Sequence, residues 1–354
     1  MNRKPQQPNR RRTAVIAILI AAVLVLSVVC LFVGVSGMTP RESLLALVGR
    51  GTAAQIRIIR GIRVPRILAA ILAGAGLSAA GLVMQTNLNN AMASPSTLGV
   101  SNAAVFGANL SIIVGAGGFL ETGNHLSGYT AGMNLYATSL IAFVFAAVSI
   151  LLILGLCRLK SFSPGTVVLA GIAIGAVWTA ATTVLQFYAT DVGLSAAVVW
   201  SFGDLGRATY KTDLIMACAV LPSIVLFTLL GWRLNSLLSG DTAAKSMGVN
   251  VDALRFVSLL LSSLVTAVCV SFLGVIGFVG IICPHVAKRL LGQDHRVSVP
   301  ASALLGSVLL LLADTLSRSL GRGSALPVGA ITSMLGAPFF LAVIFLRKGR
   351  GADA

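Results

Sequence analysis

Apolar residues run in long blocks along most of the chain, separated by short polar, charged or glycine-rich connectors. The blocks cover about 13–35, 67–84, 95–118, 135–157, 164–189, 212–232, 256–283, 298–316 and 326–346. A bilayer-spanning helix needs about 20 apolar residues, so most blocks predict one transmembrane helix each. The block from Phe256 to Cys283 fits either one long tilted helix or part of two, and Gly274, Gly277 and Gly280 crowd its second half with Pro284 following. Glycine at that density favours a turn and close helix packing. A turn near Gly274 lets a second helix continue through Pro284 to about Gly292, roughly 28 Å at about 1.5 Å per residue. The first block follows Arg3, Lys4, Arg10, Arg11 and Arg12. It is longer than the apolar core of a cleaved signal peptide, and it reads as a retained span.

Composition agrees with this pattern. Of 354 residues, 56% are hydrophobic and 10% charged, against about 25% charged in soluble domains. Ten helices of this kind would use roughly 200 residues, leaving loops and tails but no separate soluble domain. A single all-α, polytopic membrane domain over 1–354 is expected, with 1–12 as a basic cytoplasmic tail. The net charge of +16 would suggest nucleic acid in a soluble protein, but in a membrane protein it reports orientation. With ten spans and both termini cytoplasmic, 16 basic residues fall inside and 10 outside, whereas nine spans give 12 and 14. Basic residues prefer the cytoplasmic side, which favours ten. Cys30, Cys157, Cys218, Cys269 and Cys283 have no metal-ligand spacing and read as small buried hydrophobes.

The connector between the first two spans is the exception to the charge rule. It holds Arg41, Arg50, Arg57, Arg60, Arg63 and Arg66 on the outer side, with only Glu42 to offset them. The arginines either snorkel to outer head groups or form a docking surface for an acidic partner, since a guanidinium pairs well with a carboxylate.

Inside the spans, ionisable residues are scarce. Asp314 and His285 stand near helix ends, the latter with Lys288 and Arg289 at a cytoplasmic end, and other charges fall in loops or tails. Asp314 and Arg318, four apart, are placed to pair on one helix face. An ion-coupled carrier usually needs a carboxylate or histidine at membrane depth, and an intramembrane protease needs paired catalytic groups. His125, in the glycine-rich segment 115–132, reads as a loop residue. Lys245-Ser246 is preceded by Ala244 where a phosphate loop needs glycine, so no amide cradle can form. No metal site, cofactor or catalytic residue is expected, and energy for transport must come from a partner.

The largest cytoplasmic connector, 233–254, contains Gly240 between two short helix-forming stretches. Asp241 or Thr242 can cap the second stretch and Gly248 can end it. A compact knob on the membrane face, suited to contact a partner, is expected.

Five segments together resemble the FecCD-type permease subunits of bacterial ABC importers for iron-siderophore, haem and vitamin B12. They are Arg63-Val64-Pro65-Arg66 with 73–85; Asn89 to Pro95 with 98–101; the 233–254 connector; 274–280 with Pro284-His285-Val286, Arg289 and Asp294-His295-Arg296; and Ala313-Asp314 with Arg318, 326–329 and 336–339. The chain departs from the family's pattern at Ala325, at Ala91-Met92 and at Cys283.

The resemblance implies a ten-helix subunit of the bacterial cytoplasmic membrane, paired with an identical or homologous permease. It further implies two cytoplasmic ATP-binding subunits and an extracytoplasmic substrate-binding protein. Its carried-over docking positions are Arg63, Arg66 and Arg318. Its ATPase-coupling positions are Leu234, Asn235, Leu238, Gly240, Asp241, Ala244, Met247 and Gly248, and Ser163, Pro164 and Gly165 match an inner gate. The implied cargo is foremost an iron(III)-siderophore, with haem or cobalamin as alternatives. An ion-coupled secondary transporter is the runner-up from a different class.

Overall fold

A computed structural model describes residues 9–34, 37–115, 134–160, 163–320 and 325–347. His125, Arg3 and Lys4 lie outside the described residues. Among the described residues the regular structure is helical and no β-strand occurs.

The chain opens with α1 (Asn9–Phe32) and a short α2 (Pro40–Leu47). Next, α3 (Ala53–Ile56) passes through a π-helical stretch, Arg57–Arg63, into α4 (Val64–Asn87). α5 (Val100–Leu110), α6 (Leu135–Lys160), α7 (Pro164–Phe187), α8 (Asp191–Ser201) and α9 (Tyr210–Leu229) follow. Two short helices, α10 (Gly231–Leu237) and α11 (Asp241–Ser246), precede α12 (Val251–Leu273), α13 (Val279–Leu291), α14 (His295–Leu320) and α15 (Val328–Arg347). Seven helical segments, namely α1, α3 to α4, α6, α7, α9, α12 and α14, are long and apolar enough to cross a membrane. With the shorter apolar helices Val100–Gly115, Asp191–Ser201 and Val328–Phe339 the spans number about ten.

The long seventh block is two helices, as its glycines predict. α12 stops at Gly274, whose φ is +79°, and Gly292, at +88°, ends α13. α13 starts later than Gly274 because four residues of non-helical chain intervene. They end at Phe278, with φ +64°, a left-handed backbone that is an outlier for a bulky side chain. The Phe278 ring occupies the space a side chain at Gly336 would need. α8 was not separable as a sequence block. It is an 11-residue helix capped by the Thr190 hydroxyl, which accepts the Gly193 N–H at 3.2 Å.

α4 is the axis of the fold, buried along nearly its whole length and packed by α9, α12, α13 and α14. Lipid offers helices no hydrophobic gain over each other, so close contact comes from small residues. Gly74 meets Gly306 of α14 and Gly81 meets Gly280 of α13, each so closely that a Cβ would strike the facing backbone. Ser78 Oγ lies 2.6 Å from both the carbonyl and the hydroxyl of Ser302, and Ser307 donates to the Ile71 carbonyl at 2.8 Å. A second cluster joins α5, α6, α7 and α12. Among the same helices Phe106, Phe145 and Trp178, all half-buried, meet edge-on or tilted with centroids 5.0–5.6 Å apart.

Cys30, Cys157, Cys269 and Cys283 are buried as expected, and Cys218 is exposed. The expectation that charges avoid the spans is corrected at several places: Arg66 lies buried in α4 and Asp213 in α9. α12 starts at Val251, so Arg255 lies inside the helix, buried, and not in the connector.

Candidate functional site

Polar chemistry gathers at the two ends of α4 and in a groove at mid-depth. At one end, α10 and α11 form the knob. Gly240, with φ +93°, separates them, and Gly248, with φ +79°, follows α11. Leu234, Leu237, Ala244 and Val249 turn inward and are buried, while Leu238, Gly240, Met247 and Gly248 are exposed. Asp241 does not cap α11, since Gly240 occupies the cap position. Its carboxylate instead receives Arg255 Nη2 at 2.9 and 3.2 Å.

Asn235 is the polar centre of the knob. Its side-chain amide donates to Asp294 at 2.9 Å, and its carbonyl oxygen accepts the His295 backbone N–H at 2.9 Å. The same oxygen lies 2.6 Å from His295 Nδ1, and Nε2 of that ring is 2.7 Å from the Thr86 hydroxyl. Burial pushes the Asp294 carboxyl up, but the Asn235 amide, the Arg296 N–H and the Arg12 and Arg296 charges outweigh it and hold it below its ordinary value. Arg12, near the start of α1, is 3.7 Å from Asp294. The beginning of α1 and the knob therefore share one end of the bundle.

At the opposite end the three docking candidates converge. Arg66 Nε lies 2.5 Å from one oxygen of Asp314, and Arg318 Nη2 lies 2.8 Å from the other. The expected i,i+4 pair is present, with Arg66 as an unforeseen second partner. Arg318 also donates to the Cys30 and Val33 carbonyls at 3.0 and 2.6 Å, and Arg63 donates to the Leu31 carbonyl. Asp204 stands 3.7 Å from Arg66 at the rim, its side chain 46% exposed. Arg63, Arg66 and Arg318 are themselves only 4%, 7% and 8% exposed. They line the floor of this end, while Arg41, Arg50, Arg57 and Arg60 stand on its surface. Arg66 and Arg318 thus hold one buried carboxylate between them, with a second carboxylate at the rim near Arg66.

Between the ends, a groove of about 550 Å³ opens between the start of α5 and the middle of α7. Its polar lining is Ser96, Thr97, Asn102, Thr179 and Thr183, with glycine, alanine and Ile172 making up the rest and no ionisable group. Asn102 donates to the Gly175 carbonyl at 3.2 Å and to Thr179 at 3.0 Å. Gly99, at φ +72°, brings α5 against Gly175. Ser163 caps α7 by accepting the Thr166 N–H at 3.3 Å, Pro164 takes the first helical position, and Gly165 is exposed with open space around it. Arg158, near the end of α6, lies over the Phe256 ring at 5.9 Å, which places this turn on the knob side.

Sequence reasoning missed Asp204, Thr86, Arg255 and the Arg66–Asp314 pair. The only local signal was a basic residue near a helix start for Arg255. The others depend on contacts between distant parts of the chain.

A membrane bundle with a knob at one end and a cationic floor at the other defines a transport subunit built to work with partners. Residues 19–346 match the model of the FecCD transport family, and the chain belongs to that family. It is 43% identical to an ABC transporter permease protein of Methanocaldococcus jannaschii, over 92% of each chain. It is 33% identical to the Fe(3+)-citrate import system permease protein YfmE of Bacillus subtilis, over 96% of this chain and 97% of that one. Other relatives are named for hemin transport in Yersinia pestis and vitamin B12 import in Vibrio vulnificus. Among solved structures, a metal-chelate type ABC transporter in an inward-facing conformation matches with a TM-score of 0.78 and 27% identity, over 94% of this chain and 99% of that one. The chain is an integral, multi-pass permease of the metal-chelate ABC class.

Proposed function

We propose that this permease carries an iron(III)-siderophore inward across the cytoplasmic membrane, with ATP hydrolysed by two partner subunits. The observation that carries the choice of cargo is the groove on α5 and α7. Its hydroxyl and amide lining, without a charged group, offers no ligand set for a bare cation. It offers hydrogen bonds to a chelate that already shields its metal. A porphyrin, flat and largely apolar, gains less from Asn102, Thr179 and Thr183. Haem and cobalamin remain the alternatives that the names of relatives supply.

In this reading a loaded binding protein presents carboxylates to the arginine floor made by Arg63, Arg66 and Arg318. The exposed Arg57 and Arg60 guide the approach, since a surplus of positive charge speeds and orients association with an acidic partner. Engagement of the floor requires an incoming carboxylate to compete with Asp204 for Arg66. At the other end, the exposed rim of the knob, Leu238, Gly240, Met247 and Gly248, contacts the ATPase. Leu234, Asn235, Asp241 and Ala244 hold the knob to the bundle. A second permease subunit faces α7, whose outward face exposes Leu169, Ile172, Val177 and Val184 beside its alanines and threonines, and Ser163-Pro164-Gly165 forms the inner end of the shared path. ATP drives transport only insofar as the ATPase binds the two states of the permease with different affinity.

The test is uptake into proteoliposomes holding the permease, its co-encoded ATPase and its binding protein, offered ferric siderophores, haem or cobalamin in parallel. ATP-dependent accumulation of a ferric siderophore, with haem and cobalamin at background, is expected. Accumulation of haem or cobalamin alone overturns the assignment of cargo.

A further inference from the structure

The knob is joined to the last turn of α4 by two separate polar arms, and both arms end on adjacent residues. The first runs from Asn235 of α10 through the His295 ring to the Thr86 hydroxyl, at 2.6 and 2.7 Å. The second runs from Asp241 of α11 through Arg255 to the Asn87 carbonyl, which accepts Arg255 Nε at 3.0 Å. Asn87 is the last residue of α4. Its carbonyl is among those a helix end leaves without an intrahelical donor, where a cation is favoured by the helix dipole. His295 and Arg255 are both buried, and each spans two elements.

We propose that Arg255 and His295 are positioning residues that convert movement of the knob into movement of α4. The reason lies in where α4 leads. From Asn87 it runs about 32 Å to Arg66, whose guanidinium sits in the cationic floor at the opposite end. Its glycine contacts with α13 and α14 leave no slack for the helix to bend into, so a pull on residues 86 and 87 is felt at residue 66. A single arm could pivot. Two arms from different knob helices to neighbouring residues fix both the position and the tilt of the helix end. Coupling between remote sites needs a contiguous structure that both sites bias, and the knob, the two arms and α4 form one.

This inference rests on the reading of the knob as the ATPase contact. The experiment uses the complete transporter with its ATPase subunits and binding protein in proteoliposomes. Thr86→Val removes one hydroxyl at constant shape. Arg255→Gln removes the other arm, and neither residue lies on the exposed rim of the knob. The expected result for the double variant is normal co-purification with the ATPase and unchanged basal hydrolysis. Stimulation by the loaded binding protein falls at least tenfold, with each single variant intermediate and Thr86→Ser close to wild type. Stimulation within twofold of wild type in the double variant overturns the proposal. So does a loss of basal hydrolysis in step with stimulation, which would mark the arms as merely structural. If the ATPase fails to co-purify with the wild-type chain, the reading of the knob falls, and the proposal with it.

Discussion

The two ends of α4 use the same residue types to opposite effect. At the knob, Arg255 has a carboxylate of its own, Asp241, and His295 sits between a hydroxyl and an amide oxygen. At the other end Arg66 and Arg318 share Asp314, and Arg66 also approaches the more distant, half-exposed Asp204. Charges matched one to one hold a joint together. In the proposed function, one helix thus carries a paired joint at the knob and the candidate docking floor at its other end.

The sharpest way to break this contrast is at Asp314. Removing one member of a buried ion pair leaves an uncompensated charge and costs about 3–5 kcal/mol, and here two arginines lose their partner together. Asp314→Asn is expected to lower the melting temperature and folded yield of the purified chain severely, besides weakening the binding protein's affinity. Gly306→Ala comes next, because its Cβ would strike the Gly74 backbone. Overpacking of this kind costs about 1–3 kcal/mol, measurable as a lower thermal midpoint in detergent. Asn235→Ala strips the acceptor of His295 and the donor to Asp294, and a loss of about 1–3 kcal/mol is expected from the polar groups left behind. Arg57→Ala with Arg60→Ala should change stability by no more than about 0.5 kcal/mol. It should nevertheless slow association of the binding protein, most clearly at low salt. A stability loss there as large as that of Asp314→Asn would erase the distinction between floor and surface.

Much of the architecture was legible because membrane spans and glycine turns are local properties. The break at Gly274, the end at Gly292, the two knob helices about Gly240 and the Asp314–Arg318 pair all follow from residues within one turn or one loop. α8 was hidden because 11 residues beside an apolar block carry too weak a signal, although Thr190 marks its start. The π-helical stretch through Arg57–Arg63 has no local signature, yet it helps decide which arginines turn inward. Of the docking candidates, the Arg318–Asp314 pair could be read locally, but that Arg66 joins it at Asp314 depends on a contact 248 positions apart. The Arg255–Asn87 and His295–Thr86 contacts, 168 and 209 positions apart, are equally invisible without the fold.

The central claim is that this chain moves a solute with energy received at the knob and a cargo received at the arginine end. The most direct test is uptake of a ferric siderophore by proteoliposomes containing the full transporter, under ATP or under an imposed proton or sodium gradient. The account predicts accumulation that needs both ATP and the loaded binding protein, and none from either gradient alone. Accumulation driven by a gradient in the absence of ATP would contradict it.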